Sequence, residues 1–323
     1  MERRRKLGSV TARDRLLAAF VALLWGINFL ALDYALRWFP PLFFAGLRFL
    51  VIAVPTVLLV PLPGVRWRWL LGYGLGFGTA QFAFLFLAMD AGLPTGLASL
   101  VLQASAPFTV LLGGLLLRER IRPVQAAGIA IAVLGMAAIG WHRAQSAALL
   151  PVLLALCGAL GWALGNLCSR QAQAPNPLRL TLWMSIVPPV PMFVLSAFLE
   201  GPGTGWRAAA GSVLSPAGWA ALGGLAFTSL LATVVGSGLW TTLLARYPAS
   251  TVAPFSLLVP IVGVTSAWLV LGERPHPVEL AAGVVVVGGV LLGSRPPRAT
   301  PPPLEPVAPP AEAEPVVGEH RNA

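Results

Sequence analysis

Long apolar runs alternate with short segments rich in proline and glycine along nearly the whole chain. Each run is long enough for a helix to cross the hydrocarbon core of a bilayer, which takes about 17–25 residues. The pattern therefore predicts ten membrane-spanning helices. Their expected positions are 16–36, 42–62, 69–88, 94–117, 124–140, 148–168, 180–199, 216–243, 248–271 and 278–294.

The composition agrees with this pattern and argues against a water-soluble protein. Of the 323 residues, 57% are hydrophobic and only 11% are charged. A typical soluble domain has about 25% charged residues. We therefore expect an all-α membrane protein whose main environment is the lipid bilayer.

The net charge of +10 is better explained by membrane topology than by nucleic-acid binding. With the N-terminus inside, seventeen of the 22 Lys and Arg residues lie on the cytoplasmic side. Such an excess marks cytoplasmic segments of membrane proteins and predicts that both termini are cytoplasmic. Four basic residues fall outside: Arg37, Arg143, Arg207 and Arg274.

The two halves of the chain resemble each other at a shift of 154 residues. Since each half holds five predicted spans, an odd number, the second copy enters the membrane upside down, as in many transporters. We expect a first repeat at 16–140 and a second at 148–294, flanked by a basic cytoplasmic segment 1–15 and a disordered Pro-rich cytoplasmic tail 295–323. The matching residues are Pro94 with Pro248, Leu117-x-Glu119-Arg120 with Leu271-x-Glu273-Arg274, Pro123 with Pro277, and Gly135 with Gly289.

Each repeat opens with a helix that carries a tryptophan and an asparagine close together. The first has Trp25 and Asn28, and the second has Trp162 and Asn166. Such spacing puts an indole and an amide on neighbouring parts of one helical face. Facing each other across the bundle, they would bind a small polar solute by stacking and hydrogen bonding. The alternative is structural, with Asn joining helices and Trp packing between them.

Arg48 lies inside the second predicted span. An arginine at the centre of a membrane helix costs roughly 2.5–3.5 kcal/mol on insertion-based scales. Either it is a structural residue bonded to backbone carbonyls or to Asp33, or it contacts a carboxylate of the substrate. Both interpretations place it near the outer mouth of a water-accessible path.

Further polar side chains lie in later spans and extend this candidate path. Gln81 and Gln103 lie in the third and fourth spans, and Trp240 lies in the eighth. Hydroxyl groups could line the same path or bond back to their own helices. These are Ser99, Ser105, Thr233, Ser237 and Ser256.

The acidic and nucleophilic residues exclude several chemistries. All twelve Asp and Glu residues fall at span ends, in loops or in the tails, so Asp33 is the one plausible helix-borne carboxylate for ion coupling. Lys6 is the sole lysine, which removes a Walker A phosphate loop. No cluster of His, Cys and carboxylates has metal-ligand spacing. We expect no metal, no cofactor and no enzyme activity.

Several motifs resemble the EamA branch of the drug/metabolite transporter superfamily. They are Trp25-Gly26-Ile27-Asn28-Phe29, Pro40-Pro41-Leu42, Leu47-Arg48-Phe49 and the Glu119-Arg120 and Glu273-Arg274 pairs. The resemblance implies ten helices, an inverted repeat and ATP-independent efflux of amino acids or related metabolites across the bacterial inner membrane. Longer stretches narrow it to exporters of O-acetylserine and cysteine: residues 70–108, "WALGNL" at 162–167 and "VAPFSLLVPIVG" at 252–263.

The leading hypothesis is therefore a secondary exporter of small amino-acid-type metabolites that works by alternating access, as a monomer or a homodimer. Other amino acids, purine-like metabolites and hydrophobic drugs are alternative substrates within the superfamily. A scaffold or sensor would need a sizeable domain outside the membrane, and the sequence offers none.

Overall fold

The computed structural model describes residues 11–118, 121–145, 149–247 and 252–293. Most of the basic N-terminal segment, the Pro-rich tail, Glu119, Arg120 and Pro248 lie outside these ranges. The described part is helical throughout, as the hydropathy pattern predicts.

The apolar helices of the described chain follow one another in the order that the sequence predicts. In the described part of the chain, eight are long and apolar enough to cross a membrane, and α9 and α10 are shorter. The helices are α1 Ala12–Leu36, α2 Pro41–Leu59, α3 Trp67–Asp90, α4 Thr95–Leu117, α5 Pro123–Gln145, α6 Leu149–Ala172, α7 Pro177–Leu199, α8 Pro216–Leu243 with its last turns running to Arg246, α9 Phe255–Leu271 and α10 Pro277–Gly293.

Local signals explain where several helices begin. The Thr11 side chain accepts a hydrogen bond from the Asp14 amide and caps α1. Asn176 and Ser215 cap α7 and α8 in the same way. These caps satisfy amide groups that the first turn of a helix leaves without an internal partner.

Several of these helices contain irregular segments, and two kinds of segment recur at equivalent places in the two repeats. In α3, residues Gly74–Ala80 form a π-helix, and in α8, residues Phe227–Val235 do the same. Because the shift of 154 maps 74–80 onto 228–234, the two π-helices occupy equivalent places in the two repeats. The 3₁₀ segments Leu102–Ala104 of α4 and Ala253–Leu257, which leads into α9, overlap at the same shift. These segments support the repeat and were not predicted. A further π-helix, Ala267–Leu271 at the end of α9, has no counterpart in α4.

At each end of the bundle, a hydrogen bond joins two segments that are distant in sequence. At one end Glu200 accepts a hydrogen bond from the Leu42 amide at 2.6 Å. At the other end the Tyr247 hydroxyl donates to Asp14 at 2.6 Å. Each contact joins two segments that the alternating spans place on the same side of the membrane. A short helix, Thr204–Gly211, lies in the loop beside Glu200, where the sequence indicated only a loop.

Candidate functional site

The π-helix of α8 is the point where three candidate residues meet. The Trp25 indole N–H donates to the carbonyl of Ala232 at 2.8 Å. Arg48 Nη2 donates to the hydroxyl of the next residue, Thr233, at 2.9 Å. Trp240 packs against Trp25, with ring centroids 5.2 Å apart. Residues from the first, second and eighth helices therefore converge on one short segment.

Arg48 is held on one side by Thr233 and covered by aromatic rings. Its side chain is 2% exposed. The guanidinium carbon lies 4.0 Å from the centroid of Phe82 and 5.0 Å from that of Phe49, the geometry of a cation–π contact. Among the described residues, Arg48 Nε and Nη1 have no hydrogen-bond partner.

The Thr233 hydroxyl oxygen is the acceptor in its hydrogen bond with Arg48. The same hydroxyl donates to the carbonyl of Thr228 at 2.8 Å, five residues back in the π-helix. The proton is thus used within the helix, and the oxygen is left to accept from Arg48. The alternative in which Arg48 bonds to Asp33 is not what the structure shows, because Asp33 pairs with Arg37 at 2.6 Å near the end of α1.

Two amide oxygens near this cluster lack donors in the described part of the chain. Asn28 Oδ1 and Gln81 Oε1 are both buried without a hydrogen-bond partner there. Asn28 lies one helical turn beyond Trp25, and Gln81 directly precedes Phe82. A buried acceptor without a donor is costly, which is why such groups often mark ligand sites.

The second repeat supplies a comparable group around the π-helix of α3. Trp162 meets the Phe77 ring edge-on, with centroids 5.9 Å apart. Asn166 Nδ2 donates to the Thr109 hydroxyl at 3.2 Å. Phe77 in turn meets Phe82 at 6.1 Å, which connects this group to the aromatic rings around Arg48.

The two predicted tryptophan–asparagine pairs thus pack crosswise. The opening helix of each repeat places its tryptophan on the π-helix of the other repeat. Gln103 lies in the 3₁₀ segment of α4 and is half-buried. Several candidates are also half-buried although they lie within helices: Trp25, Asn28, Trp162, Asn166 and Trp240.

Other predicted path residues bond within their own helices. Ser99 donates to the carbonyl of Gly96 at 2.6 Å. Ser105 and Ser237 offer their carbonyls to Thr109 and Thr241. The Ser99 bond fits the structural interpretation of its hydroxyl, whereas at Ser105 and Ser237 the backbone carbonyl takes part and not the hydroxyl.

Sequence reasoning missed the aromatic and backbone partners of the site. Phe77, Phe82 and the Ala232 carbonyl are such partners, and none has a polar side chain that would single it out in an apolar run. Two glycine-rich stretches, 72–78 and 234–238, overlap the two π-helices and allow close packing there. A Cβ added at Gly236 would lie 2.7 Å from Trp25 Nε1.

A polar cluster at the opposite end of α1 was also missed. Asp14 is 6% exposed and accepts from the Tyr247 hydroxyl at 2.6 Å and from the Thr11 hydroxyl at 3.0 Å. Arg246 Nη1 lies 3.6 Å from the same carboxylate. The cluster joins the start of α1 to the end of α8, beyond the contact of Trp25 with Trp240.

The described residues include no group of three or more His, Cys, Asp or Glu side chains that could hold a metal ion. A shallow groove of about 380 Å³ runs between α5 and α10. It is lined by aliphatic side chains and Gly135, and no candidate site residue takes part in it.

Comparisons with known proteins give the family context of this geometry. The chain matches the EamA-like transporter family over residues 15–141 and 149–295. It is 39% identical to a "probable amino-acid metabolite efflux pump" of Escherichia coli (strain K12), covering 88% of this chain and 95% of that protein. A protein of the same description from Salmonella typhimurium is 38% identical, with 88% and 95% covered.

Two more distant proteins share parts of the chain or its fold. A "probable terminal-alkyne amino-acid exporter" of Streptantibioticus cattleyicolor is 28% identical over 68% of this chain and 70% of that protein. A solved crystal structure with 19% identity aligns with a TM-score of 0.57 and covers 87% of this chain and 97% of its own. That structure supports the fold alone.

Proposed function

The chain belongs to the EamA-like transporter family, and from this membership we propose that it exports small amino-acid-type metabolites by alternating access. Cysteine and O-acetylserine are the proposed substrates. The names of its relatives in Escherichia coli and Salmonella typhimurium support the class of amino-acid metabolites. The resemblance of stretches such as residues 70–108 to exporters of O-acetylserine and cysteine supports these two substrates.

The crosswise packing of the two repeats is the observation that carries this proposal. Trp25 of the first repeat bonds to Ala232 in the π-helix of α8, and Trp162 of the second packs on Phe77 in the π-helix of α3. Equivalent interfaces related by the repeat can open by equivalent motions, one toward each side of the membrane. π-Helical segments often lie at functional sites, where the backbone departs from regular hydrogen bonding.

The proposed binding site lies between these two interfaces. We assign to it the polar and aromatic residues that the sequence singled out within the predicted spans. They are Trp25, Asn28, Arg48, Gln81, Gln103, Trp162, Asn166 and Trp240. Asp33 is the proposed coupling residue if transport uses protons, and its pairing with Arg37 places it near the end of α1 rather than beside Arg48.

The proposed orientation has both termini in the cytoplasm of a bacterial cell, with the chain in the inner membrane. The strong excess of Arg and Lys on one side supports it. On this orientation Asp14 and Tyr247 mark the cytoplasmic end of the bundle, and Glu200 marks the outer end.

Uptake into inverted membrane vesicles tests the proposal. Vesicles that contain the protein should accumulate labelled L-cysteine and O-acetyl-L-serine faster than vesicles that lack it. Loss of this uptake with an uncoupler would indicate proton coupling and direct attention to Asp33→Asn. Uptake that ignores the uncoupler would indicate facilitated efflux or exchange. Folded protein that takes up neither compound would refute the proposed substrates.

A further inference from the structure

Arg48 is a buried cation whose hydrogen-bonding capacity is mostly unused. A guanidinium carries five N–H groups on three nitrogens. Nη2 donates to Thr233, while Nε and Nη1, which carry three of the five N–H groups, have no partner among the described residues. Buried charges in proteins are normally paired, because an unpaired charge away from water is strongly unfavourable.

The acidic residues of the described chain do not provide the missing partner. Asp33 pairs with Arg37, and Asp14 bonds to Tyr247 and Thr11. The remaining described carboxylates engage other groups or face solvent. Glu200 accepts from the amides of Leu42 and Phe43, Glu273 accepts from those of Thr95 and Gly96, Glu279 accepts from the amide of His276, and Asp90 is exposed.

We propose that Arg48 binds the carboxylate of the transported metabolite and that Asn28 Oδ1 accepts a hydrogen bond from its ammonium group. This inference rests on the proposed function and deepens it. It makes Arg48 the residue that selects substrates with a free carboxylate.

The surroundings of Arg48 support a role in binding an anion rather than in tying helices together. Phe82 covers the guanidinium at 4.0 Å, and Thr233 holds one nitrogen. Together they fix the plane of the group while leaving donors on Nε and Nη1 open. Arginine in a fixed orientation is well suited to carboxylates, because its planar N–H groups match the two oxygens.

Asn28 offers a buried oxygen without a partner among the described residues, an acceptor that suits the ammonium group. It lies one turn from Trp25, which bonds to Ala232, while Arg48 bonds to the adjacent Thr233. The helix that carries Asn28 and the side chain of Arg48 are thus both bonded to the π-helix of α8, at neighbouring residues.

The first test compares ligands that differ only in the carboxylate. Full-length wild-type protein in detergent is titrated with L-cysteine, with cysteamine, which lacks the carboxylate, and with L-cysteine amide, in which it is neutral. Thermal stabilisation reports binding. L-cysteine should bind at least about tenfold more tightly than either analogue, since a hydrogen bond to a charged group contributes that much or more. Equal binding of the three compounds would overturn the inference.

The second test uses matched arginine variants. Arg207 Nη2 also donates to a threonine hydroxyl, that of Thr204 at 3.3 Å, but it is exposed. Arg48→Gln should weaken L-cysteine binding at least about tenfold, and Arg207→Gln should leave it unchanged. Arg48→Lys keeps the charge and should restore part of the affinity, which a purely structural role would not predict. Wild-type affinity in Arg48→Gln would refute the assignment.

The two proposals can fail separately. Suppose that vesicles transport neither cysteine nor O-acetylserine, but that binding depends on the carboxylate and is abolished by Arg48→Gln. This pair of results would refute the proposed export and support the role of Arg48. Normal transport by Arg48→Gln would support the export function and overturn the role of Arg48. Should Arg48→Gln not fold, the comparison of ligands on the wild-type protein still decides.

Discussion

Gly135 and Gly289 occupy equivalent positions in α5 and α10, and each lies against the backbone of the other's helix. A Cβ added at Gly135 would lie 2.9 Å from the carbonyl oxygen of Ala282, and one added at Gly289 would lie 2.6 Å from that of Gly128. Since Ala282 and Gly128 are themselves 154 residues apart, the contact repeats with the sequence register. This relationship gives the inverted repeat, seen first as matching prolines and glycines, a physical basis in close helix packing.

This packing predicts matched effects of adding one methyl group. Gly135→Ala and Gly289→Ala should each lower the free energy of unfolding by about 1–3 kcal/mol, because backbone atoms cannot move aside as a flexible side chain would. Gly288 has no atom within 4 Å of its added Cβ, so Gly288→Ala is the control. It should be neutral or stabilising by about 0.5–1 kcal/mol, as alanine favours helix.

Thermal melting of the purified proteins in the same detergent compares the stability of the three variants. Gly288→Ala that melts as low as Gly289→Ala would contradict the packing argument, since the two neighbours differ only in what they face.

Substitution by alanine should affect protein stability differently at Asn166 and at Asn28. Asn166→Ala removes a hydrogen bond to Thr109, so it should lower the free energy of unfolding by about 1 kcal/mol, and Thr109→Val should do the same. Asn28→Ala removes a buried oxygen without a partner in the described chain, so stability should be unchanged or higher. Its transport activity should nevertheless fall.

Vesicle uptake and thermal melting, measured on the same preparations, separate the two effects. The double variant with Asn166→Ala and Thr109→Val should be about as stable as either single variant, because both remove one bond. A loss of stability in Asn28→Ala with normal uptake would show that Asn28 is a packing residue.

Hydropathy located the helices because burial in a bilayer acts directly on side chains such as those of α1 and α2. The repeat was also visible in the sequence. Two helix backbones approach closely at the equivalent positions of Gly135 and Gly289, and such an approach requires glycine. The sequence could not reveal the π-helices at Gly74–Ala80 and Phe227–Val235. The first packs against α6 and the second against α1, contacts between segments distant in the chain that an apolar pattern does not show.

The candidate site was predictable in its residue types and not in its partners. Trp25, Asn28 and Arg48 stood out because polar groups are rare inside apolar runs. Thr233 is 185 residues from Arg48 in sequence and still bonds to it. The Asp14–Tyr247 contact was hidden for a different reason, because a polar pair at a helix end is indistinguishable in sequence from ordinary solvent-exposed residues.

Two glutamates cap helices whose own N-cap residues cannot do so. Pro40 and Pro94 precede α2 and α4 and offer no side-chain acceptor. Glu200 accepts from two amides of α2, and Glu273 accepts from two amides of α4, at 2.6–3.1 Å. Glu119, which matches Glu273 in the first repeat, lies outside the described residues.

Removal of either cap should therefore cost stability. Glu200→Ala and Glu273→Ala should each lower the free energy of unfolding by about 1–2 kcal/mol, as lost N-caps do. The effects should add in the double variant, because the two contacts involve separate helices. Asp90→Ala, at an exposed carboxylate, is the control and should melt like the wild type.

The contact between Asp14 and Tyr247 should control access to the bundle from the proposed cytoplasmic end. Beside it, Ala18 packs with Leu243 and Val252 in a small apolar cluster between α1 and α8. Tyr247→Phe removes the 2.6 Å hydrogen bond while keeping the ring. Because Arg246 lies farther from the carboxylate and is exposed, it should compensate little.

Labelling of a cysteine at position 18 measures this access. In a background with Cys157→Ser and Cys168→Ser, Ala18→Cys is 2% exposed in the parent and should react slowly with a water-soluble maleimide. Adding Tyr247→Phe should speed the reaction several-fold, because loss of about 1 kcal/mol from the closed end raises the open population about fivefold. Tyr34→Phe makes the same chemical change on an exposed tyrosine near the other end of α1 and should have no effect. Equal labelling rates with and without Tyr247→Phe would show that the apolar cluster alone keeps this end closed.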